Sequence, residues 1–176
     1  MDTSSIVIET DRLILKPISL DYKEEMFAEF TPEITRHMFP SSPEKIEESI
    51  EYINGAMGQN KAGTDYIVNI ILKDTGEYLG NGGIEEINTK TPELGIWIKK
   101  SAHGYGYGRE AVAALKKWGE ENLKYDYIKY PVVDVNIASR KIPESLGGVI
   151  EREYDEVNAS GVNLHMVEYR IYPDKK

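Results

Sequence analysis

Three glycines at alternate positions, Gly104, Gly106 and Gly108, constrain this chain more than any other feature. A strand-like run over 94–98 precedes them, and a pattern typical of a helix follows directly over 109–123. In such a turn the backbone N–H groups can approach a ligand without side chains in the way, and the helix dipole favours a negative charge. The sequence therefore predicts a phosphate-binding loop, although the same glycines could form only a tight turn.

The spacing of the glycines argues against two common nucleotide-binding motifs. The dinucleotide fingerprint G-x-G-x-x-G places two residues between its last glycines, whereas only Tyr107 separates Gly106 from Gly108. A Walker loop ends in Gly-Lys-Ser/Thr, whereas Arg109 and Glu110 follow here. We therefore expect a phosphate ligand other than NAD or a nucleoside triphosphate.

The composition is that of a single globular domain over 1–176. Hydrophobic residues make up 40% of the chain and charged residues 29%, both ordinary values. We expect no membrane association, because no apolar run approaches ~18 residues and no secretory signal is recognisable. The chain has no cysteine, which excludes disulfides, thiolate metal ligands and a thiol nucleophile, and which fits a cytoplasmic protein. His37, His103 and His165 are too scattered for a metal-ligand spacing, so no metal is expected.

The net charge of −9 bears on possible partners. An acidic surface repels nucleic-acid phosphates and the sequence has no basic stripe, so nucleic-acid binding is not expected. The same charge favours a cationic substrate, although solubility alone would also explain it. Exposed sheet edges would permit a homodimer.

Hydrophobic periodicity predicts a mixed α/β fold with about seven strands and about four helices. The predicted strands are 6–16, 66–73, 78–86, 93–99, 127–135, 149–157 and 162–172. The predicted helices are 19–30, a helix that begins at 41–43 and stops at Gly58, 109–123 and 136–146. Because strands and helices do not alternate regularly, we expect a mixed, mostly antiparallel sheet with helices on its faces.

The glycine segment, taken with its neighbours, resembles the pyrophosphate loop of the GNAT acetyltransferases, whose core pattern is Gln/Arg-x-x-Gly-x-Gly/Ala. Gly106 and Gly108 match the two small positions, whereas His103 stands where Gln or Arg is common. Gly104 and the pair Glu110-Ala111 match the branch of ribosomal-protein N-terminal acetyltransferases. The resemblance therefore supports a role for the backbone N–H groups of the loop more than a role for the side chain of His103.

Two further segments carry the same resemblance. Residues 10–17, TDRLILKP, are similar to the opening strand of that branch. The run Asn136-Ile137-Ala138-Ser139, followed by Leu146-Gly147, is similar to its Asn-x-x-Ser…Lys-x-Gly-Phe segment. The three matches follow the family order and cover essentially the whole chain.

The resemblance implies the GNAT fold, with a sheet that splays between the strand before the glycine loop and the strand after its helix. Acetyl-CoA would enter this splay as co-substrate, and its pantetheine amides would pair with backbone groups that the splay leaves free. The cofactor-binding residues that it implies are Ile96, Trp97, Ile98, His103, Gly104, Tyr105, Gly106, Tyr107, Gly108, Arg109, Asn136 and Ser139.

The resemblance also implies direct transfer of an acetyl group from the thioester to an amine. Ser139 is the candidate proton donor to the leaving thiolate, although it could merely cap a short helix. The late tyrosines Tyr154, Tyr169 and Tyr172 are alternative donors. The backbone N–H of Ile98 or a neighbour would stabilise the oxyanion.

The general base is less defined by the sequence. Glu93 is the first candidate, with Glu85 and Glu156 as others, and each could instead be a solvated strand residue. The branch carries an acid near the last hairpin turn, where this chain has Asn158. Two more departures are Pro143, which could delay or kink the last helix and displace Ser139, and Gly148, which replaces an aromatic residue and would leave that corner less packed. These departures motivate an alternative function, a catalytically weak CoA-binding sensor or interaction module.

Overall fold

An open sheet of eight strands organises the computed structural model, which describes residues 1–174. The strands are, in chain order, β1 (Ile8–Glu9), β2 (Leu13–Pro17), β3 (Tyr66–Leu72), β4 (Tyr78–Glu85), β5 (Glu93–Ile98), β6 (Ile128–Val133), β7 (Val149–Val157) and β8 (Asn163–Ile171). The α-helices are α1 (Lys23–Glu29), α2 (Pro32–Thr35), α3 (Ile46–Ala62), α4 (Tyr107–Asn122) and α5 (Ile137–Ser145). The predicted mixed α/β architecture is confirmed, with one short strand and one short helix more than expected.

The strand order is β1-β2-β3-β4-β5-β6-β8-β7, and all neighbouring pairs are antiparallel except β5 with β6. Those two parallel strands are in register only at Glu93 and Lys129, near the start of each strand. They diverge from there toward their C-terminal ends. The splay expected in the middle of the sheet is therefore present, and it opens toward the glycine loop that follows β5.

Helix α3 differs from its predicted span at both ends. It begins at Ile46, later than the expected 41–43, because the Glu48 carboxylate accepts two backbone N–H groups just before the helix. It continues through Gly58, where a Cβ would meet nothing within 4 Å, and ends at Gly63 with φ +73°. An exposed helical glycine costs only about 1 kcal/mol, so packing of the rest of the helix outweighs it.

Apolar clusters hold helices on both faces of the sheet. On one face α4 buries Val112, Leu115 and Trp118, as its helical periodicity predicted. On the other face α1 and α3 contribute Met26 and Ile53. Strand β7 forms an edge of the sheet and is exposed along most of its length. Within residues 1–174, no helix is both long and apolar enough to span a membrane.

Candidate active site

The divergence of β5 and β6 leaves backbone groups of β5 without a strand partner. The Lys129 N–H donates to the Pro92 carbonyl at the closed end of the splay (2.8 Å). Strand backbone groups alternate in direction, so those of Ile96 and Ile98 face the gap as Pro92 does. Trp97 differs from the expectation, because its backbone faces β4, where it is in register with Asn81.

The Trp97 side chain lies on the face of the sheet opposite α4. Its ring centroid is 4.7 Å from that of Phe30 and 6.1 Å from that of Tyr78. Such aromatic contacts fix a large side chain in one position. Trp97 is therefore packed against this face of the sheet, and it does not have the free backbone groups expected from the sequence.

The glycine loop turns directly into α4. Gly104 and Gly106 have φ values of +85° and +78°, in the region that favours glycine. Gly106 occupies the N-cap position of α4 and no side chain caps the helix. The N–H groups of the first helical residues, Tyr107, Gly108 and Arg109, have no acceptor within a helix. They form, with the positive end of the helix dipole, a site suited to an anion.

Gly108 has a packing role as well. A Cβ at this position would lie 3.4 Å from Ile142 Cδ1, 3.6 Å from Ile98 Cγ1 and 3.8 Å from Ile96 Cδ1. These are ordinary van der Waals distances, so alanine would fit where α4, α5 and β5 meet beside the gap. A residue with atoms beyond Cβ would have to separate these three elements or displace the loop.

The side chains of the loop pack on the protein. The His103 ring lies 2.6 Å (Nε2) from the Ile98 carbonyl oxygen, so Nε2 carries a proton and donates to it. That carbonyl is consequently occupied, which leaves the Ile98 N–H and both backbone groups of Ile96 facing the gap. Tyr105 and Tyr107 stack on each other with centroids 5.6 Å apart, and the Arg12 guanidinium lies 4.6 Å above the Tyr107 ring.

Asn136 and Ser139 begin α5 on the other side of the gap. Asn136 is the N-cap, because its Oδ1 accepts the Ser139 N–H (3.3 Å). Ser139 therefore does not cap the helix, and its Oγ lies 2.9 Å from the hydroxyl oxygen of Tyr130. Tyr130 is 3% exposed, and burial raises its pKa to about 12. It remains a hydroxyl at neutral pH.

Two departures from the family pattern are accommodated around α5. The helix begins at Ile137 despite Pro143 in its interior, so the expected delay of its start does not occur. A Cβ at Gly148 would lie 2.8 Å from the Pro143 carbonyl oxygen and 3.2 Å from Ile171 Cγ1. The corner at Gly148 is thus tightly packed, contrary to expectation.

The alternative tyrosine donors have other partners. The Tyr169 hydroxyl donates to Glu144 (2.6 Å) and accepts from Arg140 Nε (3.0 Å). The ring of Tyr154 lies 4.6 Å below the Arg152 guanidinium. Tyr169 therefore links α5 to β8, whereas the Ser139 hydroxyl is paired with Tyr130.

The carboxylate of Glu93 lies at the closed end of the splay. Its side chain is 37% exposed and its Oε2 is 3.4 Å from Lys129 Nζ. Burial raises the pKa of Glu93, although Lys129 opposes the shift. Burial and the neighbouring Glu93 likewise raise the pKa of Glu85, which stands opposite it on β4. Burial is the largest cause of the raised pKa of Tyr154, and the negative charges of Glu156, Glu93 and Glu168 raise that pKa further. Acidic groups therefore surround this region.

Asn158 supports the last hairpin. It is buried, its Oδ1 accepts the N–H groups of Ser160 (3.0 Å) and Val162 (2.9 Å), and its Nδ2 donates to the Met38 carbonyl (3.2 Å). The adjacent Ala159 N–H donates to the Phe39 carbonyl (2.9 Å). The residue that stands where the branch carries an acid therefore docks the hairpin on the segment that follows α2.

Two features of the site were missed from the sequence. Tyr130 was read only as part of a strand, and its alignment with Ser139 depends on how α5 packs on β6. Arg12 and Glu110 lie in segments that carry the resemblance, but nothing in the sequence shows that they pair (Nε to Oε2, 2.7 Å). Among residues 1–174, no group of three His, Cys, Asp or Glu side chains has the arrangement of a metal site.

Comparisons with known proteins bear on this arrangement. A family model described as an acetyltransferase (GNAT) domain matches residues 12–149. The uncharacterized N-acetyltransferase YoaA of Bacillus subtilis (strain 168) is 30% identical over 146 residues, which cover 80% of this chain and 81% of YoaA.

Solved structures share the fold. RimL, a ribosomal L7/L12 alpha-N-protein acetyltransferase in complex with coenzyme A, superimposes with a TM-score of 0.86 at 15% identity, covering 97% of this chain and all 100% of that one. The microcin C7 self-immunity acetyltransferase MccE, in complex with acetyl-CoA and AMP, has a TM-score of 0.81 at 20% identity and covers 93% of each chain. At these identities the likeness concerns the fold alone.

Proposed function

The chain belongs to the GNAT acetyltransferase family, and we propose that it transfers the acetyl group of acetyl-CoA directly to a primary amine. One observation carries the proposal: the gap between β5 and β6 opens beside the uncapped N-terminus of α4 and its glycine turn. An elongated ligand with a pyrophosphate at one end and amides along its length matches both features.

In this proposal the backbone from Tyr105 to Arg109 binds the pyrophosphate. Ile96 and Ile98 offer backbone groups to the amides of the pantetheine arm. Because the Oδ1 of Asn136 caps α5, its Nδ2 donors are the atoms that would hold the arm from the other side.

The transfer step follows from the same geometry. The neutral amine attacks the thioester carbon, and the Ile96 N–H, which also faces the gap and lies farther from the glycine loop than Ile98, stabilises the oxygen as it becomes negative. Glu93 lies at the closed end of the splay, three residues or about 10 Å along β5 from Ile96, so we propose that it receives the amine proton through water; its raised pKa makes it a stronger base than an ordinary carboxylate. When the C–S bond breaks, the sulfur takes the electron pair and a proton from the Ser139 hydroxyl. Ser139 regains a proton from solvent, to which Glu93 releases the proton of the amine, so the enzyme returns to its starting state. The chain has no cysteine to carry the acetyl group, so we propose no covalent intermediate.

The acceptor that we propose is an α-amine of a protein or peptide, or another weakly basic amine. An α-amine with a pKa near ~7.8 is about 30% neutral at pH ~7.4, whereas a lysine amine near ~10.4 is only about 0.1% neutral. Glu93 is partly engaged by Lys129, so a substrate that needs little deprotonation suits it better. The acids around the gap favour a substrate with cationic groups. Because the chain lacks cysteine, we place the reaction in the cytoplasm.

The alternative, a CoA-binding sensor without turnover, has less support. It was motivated by His103, Pro143, Gly148 and Asn158. His103 and Asn158 make hydrogen bonds, Gly148 has no room for a side chain, and α5 forms despite Pro143.

The test is release of free CoA thiol, followed with a thiol reagent, during incubation with acetyl-CoA and a panel of amines. A peptide that contains one lysine and has a free N-terminus should cause release of CoA thiol. The same peptide with its N-terminus acetylated, so that the lysine is its only amine, should cause much less. If the protein binds CoA saturably but no amine causes release of CoA thiol, the proposal is wrong and the sensor is favoured.

A further inference from the structure

The Glu110 carboxylate, in the first turn of α4, ties the glycine loop to the first hairpin of the chain. It accepts hydrogen bonds from the Thr10 hydroxyl (2.6 Å) and the Arg12 backbone N–H (2.9 Å), and it pairs with Arg12 Nε (2.7 Å). Burial disfavours its charged form, but the bonds from Thr10 and Arg12 together outweigh burial and lower its pKa. The carboxylate is therefore ionised at neutral pH and holds Arg12 in one position.

Arg12 in turn contacts two residues of the loop, Tyr105 and Tyr107, and lies beside Gly106 between them. Its Nη1 donates to the Tyr105 carbonyl (2.8 Å), and its guanidinium lies 4.6 Å above the Tyr107 ring. Its Nη2 would lie 3.6 Å from a Cβ at Gly106. A planar guanidinium can hold Glu110 and the Tyr105 carbonyl at once in a fixed geometry, which an ammonium group cannot do.

This contact determines the direction of a backbone N–H group. In a trans peptide the carbonyl and the following N–H point in opposite directions, and residues 1–174 contain no cis peptide. Because Arg12 holds the Tyr105 carbonyl, the Gly106 N–H points away from the arginine. A loop with glycines at 104 and 106 would otherwise sample many conformations, since neither has a Cβ.

We propose that Arg12 and Glu110 are positioning residues that fix the peptide planes of the glycine loop before acetyl-CoA binds; this inference rests on the proposed function. With the loop fixed in advance, binding of the pyrophosphate does not have to order it. The effect should be confined to ligands that carry the pyrophosphate, because the pantetheine arm lies along β5 and α5.

Calorimetric titration with CoA and with pantetheine, which lacks the nucleotide and both phosphates of the pyrophosphate, tests the inference. Arg12→Gln and Glu110→Gln should each weaken CoA binding by roughly tenfold, the scale of losing one well-placed ionic hydrogen bond. Pantetheine binding should change less than about twofold, within the usual scatter of surface substitutions. Glu121→Gln removes the same charge from an exposed position on α4 and should leave both affinities unchanged.

A third variant, Arg12→Lys, separates bridging from charge. It keeps the cation beside Glu110 but loses the second contact, so CoA binding should still weaken. Affinity for CoA equal to that of the wild type in Arg12→Lys would overturn the bridging role, as would an equal loss of CoA and pantetheine binding in Arg12→Gln. Wild-type protein that binds no CoA would instead overturn the proposed function, and the role of Arg12 with it. Thermal unfolding of every variant identifies those that have lost the fold.

Discussion

Replacing Tyr130 with phenylalanine tests how Ser139 is prepared for proton donation. The ring is buried, so it should stay in place while only the hydroxyl, 2.9 Å from Ser139 Oγ, is lost. With a pKa raised to about 12 by burial, Tyr130 keeps its proton at neutral pH. If it donates to Ser139 Oγ, the Ser139 proton is directed away from it, toward the gap.

The expected magnitude follows from this arrangement. Without Tyr130 Oη, the Ser139 hydroxyl can adopt about three staggered orientations. The hydrogen bond that favoured one of them, by about 1 kcal/mol, is lost. We therefore expect kcat to fall roughly three- to tenfold, with the acetyl-CoA KM unchanged because no ligand contact is removed. Ser139→Ala, which removes the proton donor itself, should lower kcat about 100-fold.

The assay is steady-state release of CoA thiol by wild type, Tyr130→Phe, Ser139→Ala and the double variant. If Tyr130 acts through Ser139, the double variant should be no slower than Ser139→Ala. The stability contribution of Tyr130 should be about 1 kcal/mol by urea unfolding. This stabilisation is fully present below the ordinary tyrosine pKa of the unfolded chain. It is lost as pH rises through the raised pKa of Tyr130 in the folded protein. A Tyr130→Phe enzyme with unchanged kcat, or one that slows Ser139→Ala further, would refute the reasoning.

Three further predictions concern the loop, the base and the last hairpin. Gly106→Val should lower CoA affinity roughly tenfold or more by calorimetry, since a left-handed φ costs a branched residue about 1–2 kcal/mol. Gly76→Val, with φ +74° and open space around it, is the matched control and should bind CoA normally. Glu93→Gln should remove the acidic limb of the pH–rate profile, measured with a weakly basic amine. Burial raises the pKa of Glu93. When the pH is lowered, the wild-type rate should therefore begin to fall at a higher pH than it would with an ordinary carboxyl group. Asn158→Ala should cost about 1–3 kcal/mol in urea unfolding with little change in kcat, and the reverse pattern would give Asn158 a catalytic role.

The features predicted well from the sequence are those that depend on neighbouring residues. The glycine turn follows from local patterns, namely a β-rich run, alternate glycines and an amphipathic helix, whereas the splay was expected from the resemblance to the GNAT family. The predicted end of α3 at Gly58 failed because an exposed helical glycine is only mildly unfavourable, and the helix continues until Gly63, where a positive φ is required. Local chemistry thus indicates where a helix can end, whereas packing decides where it does end.

Contacts between distant segments could not be predicted. Arg12 and Glu110 are 98 positions apart, and only the packing of β2 and α4 brings them together. The resemblance implied free backbone groups at Trp97 as well as at Ile96 and Ile98, but the alternation of strand hydrogen bonds directs the Trp97 backbone to β4. The position of a residue in a strand does not by itself show whether its backbone groups face the neighbouring strand or the gap.

The departures from the family pattern become intelligible once their neighbours are known. His103, at a position where Gln or Arg is common, donates to the carbonyl that ends β5. At Gly148 the Pro143 carbonyl occupies the space a side chain would need, and Asn158 satisfies three backbone groups where a carboxylate could accept but not donate. Each of these three residues therefore has a local structural role. Residues that differ from a family pattern are evidence of lost activity only when the geometry they support is also lost, and the contacts of His103, Gly148 and Asn158 hold the glycine loop, the end of α5 and the last hairpin in place.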